Sequence, residues 1–400
     1  MLTGFRLVNI MNSGKYVFTQ FTGLLSKYEF DKCVERYNGN FKVQKFTCWI
    51  QFLSMAFGQL TGRESLRDTV VCLKAHKSKL FHLGIGHLVT RSTLAYANET
   101  RNWLIYHDFA QTLIRRAREL YRDHNVPSLT IDNTVYALDS TTVDLCLSVF
   151  WWAKFRRTKA AVKLHVLLDL RGDIPTFVQV TDGLWHDVNA LDYIVIEPDS
   201  FYVMDKAYGD FKRLMEINSK KAFFIIRPRD NLRFRRMYSA AVDKDTGLRC
   251  DQTIRLVWYK TKKGYPDKLR RVKYFDKELD RTFVFLTNNF EISALEVAML
   301  YKNRWRVELF FKWIKQHLKI KKFWGESENA VKTQVWIAIC IYLTVAIAKK
   351  ELNIDRNLYE ILQILSVSVF DKTPINQLLT NFQLADYDEQ LSKQLNLFDL

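Results

Sequence analysis

Apolar and polar positions along the chain repeat with two different periods. From about residue 16 to 125 the apolar positions recur at helical spacing, most strongly in FTCWIQFLSMAFGQL. The Thr61-x-x-Glu64 capping box in TGRESLRDTVVCL predicts one helix start, and Thr90 or Ser92 is expected to cap another. The first part of the chain is therefore predicted to be helical.

Near residue 131 the period changes to that of strands. TVYALDSTTVDL alternates, and AVKLHVLLDLRGDIPTFVQVTD predicts two strands joined by a turn at Arg171-Gly172-Asp173. A helix is expected over 187–196, followed by the strand FYVMDKAYG and a fifth strand, AFFIIRP. Three consecutive strands followed by alternating helix and strand predict a mixed sheet flanked by helices.

The second half of the chain adds strands and then helices. QTIRLVWYKT, LRRVKYFD and RTFVFLTN predict an all-β segment within 228–290, and SALEVAMLYKNRWRVELFFKWIKQHLK predicts one long helix. After a break at Trp324-Gly325 another helix is expected over 327–351. Its apolar run, 335–348, has 14 residues, fewer than the roughly 20 needed to cross a bilayer. It predicts a buried helix and no membrane contact.

Charge narrows the class of partner. Sixty Lys and Arg against 43 Asp and Glu leave a net charge of +17, which favours a polyanion. The excess is concentrated in residues 227–290, with 17 basic and 8 acidic side chains, and in residues 301–322, with 8 and 1. The six cysteines are scattered without the spacing of zinc ligands, which favours a reduced cytosolic setting.

Two acidic residues occupy predicted strands. Asp139 lies inside LDSTTV, and Asp205 ends the apolar part of YVMDKAYGD. A carboxylate is costly to bury in such a strand unless it is paired, protonated or bound to a metal ion. Either residue alone is more often a turn or capping residue. Together, on the same edge of a sheet, they are able to share a cation.

A third acidic residue stands among cations in YKNRWRVELFFKWIK. On a continuous helix Tyr301, Arg304, Glu308, Lys312 and Lys315 share one face about 80° wide. One interpretation is an amphipathic helix on which Glu308 forms salt bridges with Arg304 and Lys312.

The other interpretation is catalytic. Asp139, Asp205 and Glu308 supply oxygen ligands of the kind that Mg²⁺ or Mn²⁺ prefers. Two such ions support in-line phosphoryl transfer by activating a water or a 3′-hydroxyl. The neighbouring cations would then hold DNA phosphates.

The spacing of these residues resembles a known signature. Tyr301-(2)-Arg304-(3)-Glu308-(6)-Lys315 is similar to the YREK signature of DDE transposases of bacterial insertion sequences, in the family numbered four. LDSTTVDL, KLHVLLDLRGDIP and VMDKAYGDF also resemble the core of that family. GKYVFTQFTGLL and RSTLAYANETRNWLIY are similar to the N-terminal accessory domain of one branch.

The resemblance implies an α/β fold with a ribonuclease-H-like core, a β-rich insertion and an N-terminal helical domain. It implies that Asp139, Asp205 and Glu308 bind two Mg²⁺ or Mn²⁺ ions, and that Tyr301, Arg304 and Lys315 contact phosphates near the transposon end. Lys312 is expected to contribute to DNA binding from the same face. Trp258 is the candidate to stack on a base that flips out during hairpin formation, although a core role remains open.

Five segments are expected. They are a helical domain that binds DNA ends or only packs (1–125), the first part of the catalytic core (131–227), a basic β-rich insertion (228–290), the second part of the core with the helix of Glu308 (291–350), and a C-terminal helical tail that serves oligomerisation (351–400).

The expected function is cut-and-paste DNA transposition through a hairpin, with double-stranded DNA at terminal inverted repeats and a target as substrates. We expect a homodimer on DNA and a cytoplasmic, nucleoid-associated location in a bacterium. Two alternatives stay open: a structure-selective nuclease on the same fold, and a non-catalytic DNA-binding protein derived from a transposase.

Overall fold

Helices form the N-terminal part of the chain. The computed structural model describes residues 14–380 except 125, 127–128, 147, 157–158 and 318–322. In the described part, these α-helices precede the first strand: α1 (Val17–Thr22), α2 (Lys27–Arg36), α3 (Cys48–Leu60), α4 (Leu66–Ala75), α5 (Arg91–Thr100) and α6 (Leu104–Leu120).

Side-chain caps determine where several of these helices begin. The hydroxyls of Thr47, Ser65 and Thr90 each accept the backbone N–H three residues on, at the starts of α3, α4 and α5. The predicted start at Thr90 is therefore confirmed. The predicted capping box at Thr61 is wrong, because Thr61 ends α3 and its hydroxyl donates to the Phe57 carbonyl at 2.7 Å.

Ten strands of the described chain form one sheet. The strands are β1 (Val135–Leu145), β2 (Lys154–Arg156), β3 (Lys159–Asp169), β4 (Ile174–Asp182), β5 (Phe201–Met204), β6 (Phe223–Ile226), β7 (Phe234–Ala240), β8 (Leu248–Leu256), β9 (Leu269–Asp276) and β10 (Arg281–Thr287). The predicted turn between β3 and β4 is confirmed, with Gly172 at φ 93° and Asp173 at φ 58°.

The first strands have the topology of a ribonuclease-H-like core. β1 is antiparallel to β3 and parallel to β5, and β5 is parallel to β6, which gives the order β4-β3-β1-β5-β6. The short strand β2 pairs with the start of β3. The predicted mixed α/β fold is thus confirmed. Between β4 and β5 the chain forms a short 3-10 helix, Asp187–Asp192, where a helix over 187–196 was expected.

The strands between residues 228 and 290 extend the same sheet. β10 pairs with β6 through Leu286–Ile226 and Thr287–Ile225, and β9, β8 and β7 follow outward in that order. β7 therefore forms an edge of the sheet. The β-rich segment is continuous with the core sheet instead of forming a separate layer.

Helices cover both faces of the sheet. The remaining α-helices of the described chain are α7 (Phe211–Ser219), α8 (Tyr259–Gly264), α9 (Ala294–Lys302), α10 (Trp305–His317), α11 (Glu328–Glu351), α12 (Leu358–Ser368) and α13 (Ile375–Leu379). The core on one face includes α10, α11 and the N-terminal helices, and a smaller core on the other face includes α7. Residues 381–400 of the predicted C-terminal tail lie outside the described residues.

α11 runs through the larger core. By length and composition it is the helix of the described chain that is apolar enough to cross a membrane, but 94% of its most apolar window is buried within the protein. Its environment is that of a core helix, as the sequence predicted. Gln59 of α3 donates to the carbonyl of Gln334 in α11 at 3.0 Å, so the N-terminal helices pack on the same core.

The long helix expected over 293–319 is in fact two helices. α9 ends at Lys302, and Asn303 caps it: its backbone N–H and its side-chain amide both donate to the Met299 carbonyl, at 3.2 and 2.9 Å. The chain then turns through Arg304 before α10 begins. Tyr301 and Glu308 therefore lie on different helices, and the continuous polar face predicted for them is wrong.

Candidate active site

Asp139 and Asp205 lie on neighbouring parallel strands at matching positions. Leu138 of β1 pairs with Met204 of β5, and each Asp is the next residue along its strand. Adjacent strands lie about 5 Å apart. By strand alternation both side chains lie on the face of Ala137, whose core includes α10. The structure therefore brings these two predicted residues side by side, Asp139 within β1 and Asp205 directly after the end of β5.

Glu308 is joined to Asp139 through Arg304. The Arg304 guanidinium donates from Nη1 to Asp139 Oδ2 and from Nη2 to Glu308 Oε1, each at 2.6 Å. Arg304 is 16% exposed and Asp139 21%, whereas Glu308 is 57% exposed. One partly buried cation thus bridges two of the three predicted acids, although they are far apart in the sequence.

Burial dominates the electrostatics of this group. Desolvation raises the pKa of the Asp139 carboxyl, the Arg304 charge opposes that rise, and the charges of Glu308 and Asp205 add to it. For Arg304, desolvation lowers the pKa, but Asp139 and Glu308 outweigh it and the pKa is raised overall. The three carboxylates therefore share one electrostatic environment that favours an added positive charge.

A partly buried ion pair that the sequence did not predict joins α10 to the turn between β3 and β4. Arg306 Nη2 donates to Asp173 Oδ2 at 2.8 Å, and the Tyr342 hydroxyl of α11 donates to the Asp173 carbonyl at 2.8 Å. Val307 and Phe310 of α10 are buried in the core beside them. The sequence interpretation left Asp173 in a turn, but its contact with Arg306 holds the helix that carries Glu308.

The other signature residues have different surroundings. Lys315 Nζ donates to the Thr142 carbonyl of β1 at 2.8 Å, close in sequence to Asp139. Lys312 is exposed on α10. Tyr301 is 8% exposed, and its ring lies 4.7 Å from that of Phe285. The Tyr301 hydroxyl is buried without a hydrogen-bond partner in the described chain, so its contact with phosphate remains a prediction.

Trp258 lies beyond the end of β8, not within the strand predicted from QTIRLVWYKT. It precedes α8, is 48% exposed, and lines a cleft of about 610 Å³. The cleft is also lined by Lys212, Arg229, Arg233 and Lys260. A partly exposed indole beside four cations suits an anionic aromatic ligand better than a core role.

A second polar cluster lies on the opposite face of β1. The Ser140 hydroxyl and Lys163 Nζ both donate to Asp187 Oδ1, at 2.8 and 3.3 Å. His165 Nε2 lies 3.0 Å from the Thr181 hydroxyl. Burial lowers the pKa of His165 to about 4. This cluster was not predicted, although the polar residues in the apolar strand KLHVLLD are a signal for it.

The donor atoms suit a hard divalent cation. Asp205 Oδ1 is buried without a hydrogen-bond partner in the described chain, and Asp139 offers a desolvated carboxylate on the adjacent strand. No three His, Cys, Asp or Glu side chains of the described residues are arranged as a metal site. Arg304 instead supplies the positive charge between Asp139 and Glu308.

Fold and site together define a class, that of ribonuclease-H-like proteins with acidic residues side by side on adjacent core strands. The family model of the transposase DDE domain matches residues 131–344. The chain therefore belongs to the DDE transposase domain family. A second model, for a domain of unknown function called DUF4372, matches residues 13–86.

Relatives of this chain are transposases by name. It is 36% identical over 218 residues to a putative transposase, y4zB, of Sinorhizobium fredii. The matched region is 53% of this chain and 60% of the relative. It is 31% identical over 218 residues to a probable transposase for insertion sequence element IS5377 of Geobacillus stearothermophilus, covering 54% and 57%. The match thus spans about three fifths of each of these two relatives.

Two further similarities have lower sequence identity. A putative transposase for insertion sequence element IS4SA of Synechocystis is 24% identical over 263 residues, covering 64% of this chain and 71% of that relative. Among solved structures, the piggyBac transposase synaptic complex with hairpin DNA is similar to this chain over 96% of this chain and 86% of the piggyBac chain. Its TM-score is 0.46 and its identity 11%.

Proposed function

We propose that this chain is a DNA transposase that excises an insertion sequence at its terminal inverted repeats and joins the freed ends to target DNA. The observation that supports this most is the matched position of Asp139 and Asp205 on β1 and β5, with Glu308 joined to Asp139 through Arg304. Such a group of acids suits metal-assisted phosphoryl transfer.

Asp139, Asp205 and Glu308 would hold the metal ions. Two bound Mg²⁺ or Mn²⁺ ions would supply charge that activates a water or a 3′-hydroxyl and stabilises the leaving oxygen. The buried, unpartnered Oδ1 of Asp205 and the desolvated carboxylate of Asp139 support this assignment. Glu308, the most exposed of the three, is free to turn away from Arg304 when ions and DNA bind.

The neighbouring cations would position the DNA. Arg304 and Lys315 lie against Asp139 and its strand, so that either side chain reaches a phosphate held beside the carboxylates. Lys312 is exposed one turn beyond Glu308 and would hold a phosphate further along the strand. Tyr301 would contribute mainly through its ring, which packs on Phe285 and beside Arg304.

Excision would pass through a hairpin, with Trp258 stacking on a base that leaves the duplex. The half-exposed indole and the cationic cleft beside it support this role. The helical domain, proposed as residues 1–125, would bind the transposon ends. Residues 351–400 would serve the contact between two copies on DNA. The substrate implies that the protein acts in the bacterial cytoplasm beside the chromosome.

A strand-transfer assay tests this function. A labelled donor duplex with the inverted repeat that bounds the gene is incubated with the full chain, a target plasmid and Mg²⁺ or Mn²⁺. A transposase produces labelled products longer than the donor. Cleavage without such products would indicate a structure-selective nuclease, and binding without cleavage would indicate a non-catalytic derivative. Either of these two results overturns the proposal.

A further inference from the structure

The strand pair at the edge of the sheet exposes arginines without acidic partners. In the pairing of β7 with β8, Arg235 lies directly opposite Arg255, so their side chains lie on the same face. Both are exposed. Neither forms a salt bridge or a side-chain hydrogen bond within the described residues. Like charges directly opposite each other destabilise a strand pair, so this arrangement favours an anionic ligand.

More residues join this face. The Val257 N–H donates to the Arg233 carbonyl at 3.3 Å, which continues the pairing and places exposed Arg233 on the same face as Arg235. The register shifts between Arg236 and Tyr238, and Tyr238 then lies opposite Thr253 on that face. We call Arg233, Arg235, Tyr238 and Arg255 the ribbon face.

On the opposite face of this strand pair β8 is covered by the protein, whereas Arg236 of β7 is exposed there. Ile254 and Leu256 are 0% and 3% exposed, so β8 packs that side on the core. Tyr238, by contrast, is 65% exposed. The ribbon face is therefore turned to solvent, and its arginines are able to contact a large ligand without rearranging the core.

The neighbouring strand β9 carries an arginine that does have an acidic partner. Arg270 of β9 donates two hydrogen bonds to Asp251 of β8, at 2.9 and 2.8 Å, and Arg270 is buried. That arginine is neutralised by its neighbour. Asp251 lies on the same side of β8 as Arg255, but Arg270 occupies it, and within the described residues no salt bridge holds Arg235 or Arg255.

We propose that the ribbon face binds the sugar–phosphate backbone of DNA. Guanidinium groups at strand spacing suit phosphate oxygens, and β7 is an edge strand, so a duplex is able to approach this face from the open side of the sheet. Arg233 also lines the cleft of Trp258, so a DNA strand on this face leads into that cleft. A second copy of the chain is a poor occupant, because pairing two β7 edges would bring their arginines together.

This inference rests on the proposed DNA substrate but names residues outside the catalytic group. Its test is equilibrium binding of a duplex oligonucleotide by the full chain, without divalent ions, between about 50 and 200 mM salt. Cleavage does not enter the measurement. A negative result in this binding measurement is therefore distinguishable from an absence of strand-transfer products.

The informative variants are Arg235→Gln/Arg255→Gln and the charge-preserving Arg235→Lys/Arg255→Lys. We expect the Gln variant to bind roughly 10- to 100-fold more weakly. The slope of log affinity against log salt concentration should be smaller in magnitude by about 2. The Lys variant should keep the wild-type slope, since the number of phosphates neutralised is unchanged. Unchanged affinity and slope in the Gln variant would overturn the proposal.

A second measurement separates binding from folding. Because the two arginines repel each other, the Gln variant without DNA should unfold at the wild-type temperature or above it at low salt. Weaker binding combined with a lower unfolding temperature would indicate a structural role and also overturn the proposal.

Discussion

Arg304 Nη1 lies 2.6 Å from Asp139 Oδ2 and joins the turn between α9 and α10 to the central strand of the sheet. The same guanidinium contacts Glu308, so one side chain connects two acids from distant parts of the sequence. The contact gives the carboxylates a counter-charge in the folded protein. It also makes Arg304 a competitor for any cation that binds Asp139.

Arg304→Gln should destabilise the protein in metal-free buffer. The change leaves the desolvated Asp139 carboxylate without its partner, which costs about 2 kcal/mol in free energy of unfolding. Urea denaturation measures this, with exposed Lys312→Gln on the same helix as a control that should change stability by less than about 0.5 kcal/mol. Equal stability of the two variants would contradict the bridging role.

Tyr301→Phe should leave stability within about 0.5 kcal/mol of wild type, because the hydroxyl that it removes has no hydrogen-bond partner in the described chain. Tyr301→Ala removes the ring packed on Phe285 and should cost about 3 kcal/mol. Urea denaturation of both variants measures the difference between the two losses of stability. A loss of more than about 1 kcal/mol in Tyr301→Phe would show that the hydroxyl is bonded in solution.

His165 should make stability depend on pH. Burial lowers its pKa in the folded protein to about 4 from an ordinary value of 6.5, while Asp187 and Lys163 act in opposite directions. As the pH falls below 6.5 the unfolded chain takes up a proton that folded His165 does not, so unfolding becomes more favourable until about pH 4.

The expected size of that effect is at most about 3 kcal/mol between these pH values. It is measured as the difference in free energy of unfolding between wild type and His165→Gln at a series of pH values. The variant lacks this titration. The free energy of unfolding of the wild type should therefore fall relative to that of the variant as the pH falls from 6.5 to about 4. A difference independent of pH would contradict the assignment.

Gly172→Ala should be more destabilising than Gly86→Ala. Both glycines have positive φ, 93° and 77°, where a side chain costs about 1 kcal/mol. At Gly172 a Cβ would also run into the Tyr121 ring, whereas Gly86 has nothing within 4 Å. Thermal unfolding should show a clearly larger loss for Gly172→Ala, and equal losses would mean that the ring moves aside freely.

The parts predicted correctly from the sequence depend on local patterns. The alternation in TVYALDSTTVDL predicted β1, and the turn at Gly172 between two apolar runs predicted β3 and β4. The continuous apolar run predicted α11. The break between α9 and α10 was missed because the apolar spacing continues through it, while the backbone at Arg304 and Arg306 bonds three residues back instead of four.

The parts that sequence reasoning did not reach depend on contacts between distant segments. The pairing of β10 with β6 makes the β-rich segment part of the core sheet, and nothing local in either strand specifies that partner. The same holds for Arg306 with Asp173, which fixes α10 in place. The family signature and helical spacing predicted the acids and the Glu308–Arg304 pair, but only the fold shows that Arg304 also contacts Asp139.

The central claim is that Asp139, Asp205 and Glu308 act as one catalytic centre. The most direct test is the rate of Mg²⁺- or Mn²⁺-dependent cleavage of a transposon-end duplex by Asp139→Asn, Asp205→Asn and Glu308→Gln. Asp144→Asn is the matched control, because it changes an exposed acid on the same strand as Asp139. We predict that each of the three loses at least about a hundredfold in rate while DNA affinity and the control rate are kept. Wild-type cleavage by any one of them would contradict the account.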